Sequence, residues 1–207
     1  MNGKKNLLLV FGVLLAGCVP SLHPLYTPKE VVYDPKLIGI WADSNSSDSG
    51  TWEFRAAEPN SYTMIYTDKD KKVGTFGVHL VKIDEMLFLD LFPTDPNLPQ
   101  NGFYQLHLLP VHTFMKVDQI EPTLELRFME ADKFTKRLEK HPILLKHEVL
   151  QEGSEKKFIL TASTKELQEF MRKHAGDKDV FGEPSNMKRV PPQDGNKPAD
   201  PNAKKPV

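Results

Sequence analysis

The feature that most constrains this chain is period-two alternation of apolar and polar residues, repeated along most of residues 36–183. Side chains on a strand point alternately to its two faces, so this pattern belongs to sheet with one face buried. Thr123–Met129 is the clearest case, with Leu124, Leu126 and Phe128 opposed to Thr123, Glu125 and Arg127. Thr51–Arg55 sets Trp52 and Phe54 against Thr51, Glu53 and Arg55, and Ser61–Thr67 puts Tyr62, Met64 and Tyr66 on one face. Further strands are predicted at 37–42, 73–83, 86–92, 102–109, 112–119, 146–150 and 157–161. Polar and glycine-containing stretches punctuate them: 43–50, 68–72, Asp84-Glu85, Asn101-Gly102 and Glu152-Gly153.

Two segments break the period. Residues 132–140 carry Phe134 and Leu138 on one helical face and stop before Pro142. Ser163-Thr164-Lys165-Glu166 is a capping box, followed by the stripe Leu167, Phe170, Met171 and His174, with Gly176 to end the helix. About eight to ten short, sequential strands with one or two short helices predict a mainly β fold. The expected form is an antiparallel β-barrel or a strongly curved sheet with the helices packed on it.

The N-terminus has a different character. Lys4 and Lys5 precede the apolar run from Leu7 to Leu14, and Leu15-Ala16-Gly17-Cys18 follows. The run is shorter than the ~20 residues that span a bilayer and fits a secretory signal peptide. Residues 1–18 resemble bacterial lipoprotein precursors, whose lipobox reads Leu-small-Gly-Cys. The resemblance implies that residues 1–17 are a signal peptide and that Cys18 becomes the lipidated first residue of the mature protein. It also implies a cell-envelope location. Val19 stands where enteric inner-membrane lipoproteins carry Asp, which favours the outer membrane, periplasmic face. Two or three acyl chains make a stable anchor where one gives marginal binding. Cys18 is the only cysteine, so no disulfide framework and no multi-thiolate metal site can form within one chain.

The flanks of the β-rich domain read as unstructured. Pro20, Pro24, Pro28 and Pro35 make residues 18–35 an expected extended, lipidated tether. Residues 184–207, rich in proline and lysine and poor in large apolar side chains, are expected to be a disordered tail.

Gly39-Ile40-Trp41 opens the first predicted strand and resembles the Gly-x-Trp of lipocalins, where the Trp closes the barrel floor. The chain departs from that family at Thr67-Asp68, which comes earlier than the lipocalin Thr-Asp turn. Arg127 lies on a strand and is not clearly beneath Trp41.

Composition and motifs argue against several function classes. Lys plus Arg total 27 against 28 Asp plus Glu, a formal charge of −1, without the basic excess that nucleic acid demands. There is no Gly-x-Ser-x-Gly, no phosphate-cradling glycine loop and no His-Glu-x-x-His. His79, His107 and His112 are the nearest thing to a metal or base cluster, and they read as unrelated turn and strand residues. Glu53, Asp90 and Glu125 could pair across a barrel for acid–base work, but a solvated strand face is the simpler reading. The expectation is a non-enzyme with no cofactor and no metal.

The aromatic inventory is more informative. Trp41, Trp52, Tyr62, Tyr66 and Phe88 are the candidate ligand-binding residues, and they fill either a core or a pocket. Leu87–Pro93 is apolar on both faces. It is either a central strand covered by the helix at 164–175 or an exposed partner-binding strand. Two functions stay open: a membrane-anchored module binding a hydrophobic or amphipathic ligand, and a filled-core protein-interaction subunit of an envelope assembly.

Overall fold

A computed structural model describes residues 18–44, 50–94, 108–153 and 155–191. The strands are β1 (Val31–Val32), β2 (Gly39–Asp43), β3 (Thr51–Ala57), β4 (Ser61–Thr67), β5 (Val73–Ile83), β6 (Met86–Pro93), β7 (Thr113–Gln119) and β8 (Leu124–Phe128). After them come helix α1 (Ala131–Lys140), the hairpin β9 (His147–Glu152) and β10 (Glu155–Leu160), helix α2 (Thr164–His174) and β11 (Ser185–Val190).

Strands β2 to β8 form an antiparallel meander, and β11 inserts between β8 and β2 while β5 pairs with β6, so the sheet closes into an eight-stranded barrel. Closure removes the exposed sheet edges that an open sheet would have to protect. The short β1 adds to β5 through Val31↔Val81 and Val32↔Leu80.

The alternation sorts side chains into two cores divided by the barrel wall. Inside lie Trp41, Phe54, Tyr62, Met64, Val78, Leu80, Leu89, Leu124 and Leu126, all buried. Outside β5, β6 and β7, the layer of α1, β10, α2 and the α2–β11 connection covers Val81, Ile83, Phe88 and Phe114 with Phe134, Leu138, Leu167, Phe170 and Phe181. Strands β5 and β6 are apolar on both faces because both faces are covered. Helix α2 begins with the expected capping box: the Ser163 hydroxyl accepts from the Glu166 amide, and the Glu166 carboxylate accepts from the Ser163 amide. It presents Leu167, Phe170 and Met171 to the outer core.

Two boundaries differ from expectation. Residues 18–35 are packed rather than an open tether: Val19 and Leu25 are buried, and Ser21 exchanges main-chain hydrogen bonds with His112. Proline removes donors but leaves the intervening residues free to pair, and apolar side chains at Val19 and Leu25 fill the outer core. The stretch expected to open a disordered tail contains β11, which closes the barrel. Its pairing is main-chain work on both sides, so a polar sequence serves, and Met187 alone fills the interior. Residues 192–207, and residues 1–17 where a signal peptide was expected, lie outside the described residues. Of the strand expected at 102–109, residues 102–107 lie outside them too, and Leu108 and Leu109 are not in a strand.

Candidate functional site

The chain enters at one end of the barrel through a 3-10 turn, Pro35–Leu37, and the β3–β4 and β5–β6 hairpins turn at that end. This lower end is sealed. The Trp41 indole N–H donates to the Leu37 carbonyl at 2.9 Å, and the Arg189 guanidinium lies over the ring, 4.3 Å from its centroid. Arg189 also donates to the Lys36 and Ile38 carbonyls and pairs with Glu121. Gly39 makes room for this: its φ is +139°, and a β-carbon there would collide with the Arg189 guanidinium. Tyr62 is equally structural. Its hydroxyl donates to the Asp34 carbonyl and accepts from the Asp34 amide, its ring stacks on Tyr33, and burial pushes its pKa up to about 12.

The upper end differs. Trp52 and Tyr66 are directly opposed across β3 and β4, with ring centroids 5.6 Å apart, and Phe128 meets Trp52 edge-on at 6.0 Å. Phe76 faces the same space. All four rings are only partly buried, whereas the residues beneath them form one buried apolar cluster. The result is an aromatic cup above a buried apolar interior. Burial raises the Tyr66 pKa, with the nearby Asp68 charge adding to it.

Of the candidate residues, Trp52 and Tyr66 come together at the rim; Trp41 is the register partner of Trp52, but its indole is turned down to Leu37, and Tyr62 also belongs to the lower end, while Phe88 lies outside the barrel, 6.0 Å from Phe181. Cys18 is half-buried where the described chain begins. Glu53, Asp90 and Glu125 all alternate with inward apolar residues, so they face outward on separate strands and do not converge.

One polar cluster was not anticipated. Asp90 is 1% exposed on the outer face of β6, where one carboxylate oxygen accepts the Leu25 amide at 2.7 Å and the other meets His112 Nδ1 at 2.7 Å. His79 neighbours Asp90 across the β5–β6 register, and its ring stacks on Tyr26 at 4.1 Å. Burial lowers the His79 pKa, against the opposing pull of Asp90. The nearby Ser21 hydroxyl donates to the His23 carbonyl, so it is not held as a nucleophile. The cluster fastens the N-terminal segment to the barrel. Its only sequence signal was an Asp in the middle of an apolar run. Among the described residues, no group of three or more His, Cys, Asp or Glu is arranged to hold a metal.

A groove of about 560 Å³ lies between the α1–β9 connection and α2, lined by Ile143, Leu144, Phe170 and Lys173 among others. A Lys146–Glu166 ion pair at 2.8 Å stands in it, and Lys146 with Ser163 holds the Glu166 carboxyl down at about 2.

No protein-family model, curated protein or solved structure matches the chain. The functional reading therefore rests on the residues themselves.

Proposed function

We propose that this protein is a bacterial envelope lipoprotein, lipidated on Cys18 and facing the periplasm. It serves as a non-catalytic binding module for a hydrophobic or amphipathic ligand. The observation that carries the ligand reading is the cluster of Trp52, Tyr66, Phe76 and Phe128, half-buried above a sealed interior. Aromatic rings left partly exposed at the mouth of a closed barrel offer flat apolar area and, through Tyr66, a polar handle. The ligand presents a ring or chain end to this cup. Lipidation rests on Lys4-Lys5, the apolar run and Leu15-Ala16-Gly17-Cys18. The Gly39-Ile40-Trp41 floor supports a lipocalin-like reading of the barrel, with Arg189 rather than Arg127 against the tryptophan.

The test is native mass spectrometry of residues 19–191 exported without the anchor, alongside titration with an apolar reporter dye. A mass adduct lost on denaturation, with saturable dye uptake abolished by the Trp52→Ala/Tyr66→Ala double variant, is expected. Uptake unaffected by that variant overturns the rim as the site.

The mutual packing of the buried interior residues favours a second reading, a protein-interaction subunit. Photocrosslinking from position 66 in living cells separates the two: a discrete protein adduct favours the partner, and a lipid-sized adduct favours the ligand.

A further inference from the structure

An anchor on Cys18 has no slack. Val19 is 2% exposed, the Leu160 amide donates to the Pro20 carbonyl at 2.8 Å, and Ser21 is clamped to His112 by main-chain bonds at 2.8 and 2.9 Å. The Leu25 amide is held by buried Asp90. Acyl chains attached at Cys18 must therefore leave from the surface of the folded body itself, where exposed apolar side chains stand among the charged Glu148 and Lys157.

Its layout follows from pairing. Ser21 bridges Leu160 in parallel, and both side chains are fully buried, which turns Leu22 to the outside. Leu160 opposes His147 in the β9–β10 hairpin, so Leu150, three residues on, shares that outer side with Leu22. Leu22 and Leu150 are 38% and 50% exposed. On the other flank of the segment, the Phe92 ring packs against His112 at 4.5 Å and is 36% exposed. Leu109, three residues before His112, is 69% exposed. Scattered surface leucines need no explanation; apolar residues on both sides of a lipid attachment point do.

We infer that this face lies on the bilayer, with Leu22, Phe92, Leu109 and Leu150 seated at the headgroup–acyl boundary around the Cys18 lipid. The inference rests on the lipoprotein reading. A bilayer is the occupant because acyl chains covalently attached at Cys18, four residues before Leu22, put hydrocarbon beside this face. Phe92 and His112 stand at the upper ends of β6 and β7, the same end as the aromatic cup. Seating this face brings the cup beside the membrane, so a ligand can pass between bilayer and barrel with little exposure to water.

Cys18 is acylated in the mature protein, so an introduced cysteine is the only free thiol. Leu150→Cys, Leu109→Cys and, on the opposite wall, Arg55→Cys are labelled with an environment-sensitive fluorophore. The purified, lipidated proteins go into phosphatidylethanolamine/phosphatidylglycerol vesicles. Probes at 150 and 109 are expected to be quenched by nitroxide-bearing lipids and shielded from aqueous iodide several-fold more than the probe at 55. Equal iodide access at all three positions in vesicle-bound protein overturns the inference and leaves the lipoprotein reading standing. Protein recovered in the soluble fraction with an unmodified Cys18 overturns both. Shielding seen only in native membranes, and absent from vesicles of purified protein, also overturns it and assigns the face to a protein partner.

Discussion

Arg189 shows how much one side chain can do when a barrel has to be shut. Its guanidinium covers the Trp41 ring and donates to the Lys36 and Ile38 carbonyls, so one residue joins β11, β2 and the 3-10 turn. A cation over an aromatic ring contributes ~0.5–1 kcal/mol at an exposed site, and charged hydrogen bonds to main chain contribute more. The side chain is 41% exposed, so solvent discounts these values, and Arg189→Ala is expected to cost about 1–2 kcal/mol in urea unfolding. Arg189→Lys should recover little, because an ammonium cannot lie flat over the ring and serve both carbonyls. Gly39→Ala is expected to lower the same midpoint, since the backbone there is in a region that L side chains rarely adopt and the added carbon displaces the guanidinium. Tyr62 gives a different readout. Its pKa is raised by burial, so its contribution is complete below the unfolded value near 10 and is lost as pH rises toward about 12. An alkaline titration followed by tyrosinate absorbance and near-UV dichroism should show its ionisation coinciding with loss of tertiary signal. Trp41 was legible from Gly39-Ile40-Trp41; its arginine was not. Arg189 sits in a proline- and lysine-rich stretch, where side-chain chemistry says tail and only main-chain pairing says strand.

At the scale of elements, the alternation of β3, β4 and β8 and the capping box of α2 were readable because each is a local property of a few consecutive residues. Strand β11 and the packed N-terminal segment are held by partners far away in sequence: β11 pairs with β2 and β8, and Pro20 and Leu22 bond to Leu160. Local composition carries no record of such pairing, which is why both read as unstructured. The split of the aromatic candidates has the same origin. The period-two pattern gives which residues share a face but not which end of a barrel they occupy, nor which side of the wall β6 turns toward a second core. The consequence for β11 is testable. Ending the chain at residue 184 leaves the edges of β2 and β8 unpaired and uncovers Met187's place in the interior, so the truncated protein should lose cooperative unfolding and elute as aggregate in size-exclusion chromatography. For α2, Ser163→Ala removes both hydroxyl bonds of the cap and should cost about 1 kcal/mol while leaving the barrel's near-UV spectrum intact.

The whole molecule is two cores sharing one wall, and the polar cluster at Asp90 sits where the N-terminal segment meets that wall. Three titratable groups face His79 there: Asp90 beside it on β6, His112 at the start of β7, and Tyr26 stacked on its ring from the N-terminal segment. Burial favours the neutral imidazole, so the folded pKa lies below the ordinary value of 6.5. The unfolded chain then binds the proton first as pH falls. The stability that neutral His79 contributes is complete above about 6.5 and is lost as pH falls through that value toward the folded one. Because Tyr26 rides on the ring and Leu25 is tied to Asp90, the first part to loosen should be the segment that leads to Cys18. Urea unfolding of wild type between pH 7.5 and 5 should show a decline that His79→Phe, which keeps the stacking surface and removes the proton site, largely flattens. Hydrogen exchange at pH 5 should show faster opening of the amides of Ser21 and Leu25 in wild type than in His79→Phe. Parallel declines in the two proteins would mean that carboxylates elsewhere, such as Asp177 held low by Arg137, set the acid limit instead. A flattened profile would place the acid sensitivity of the fold at the seam between its N-terminal segment and its barrel.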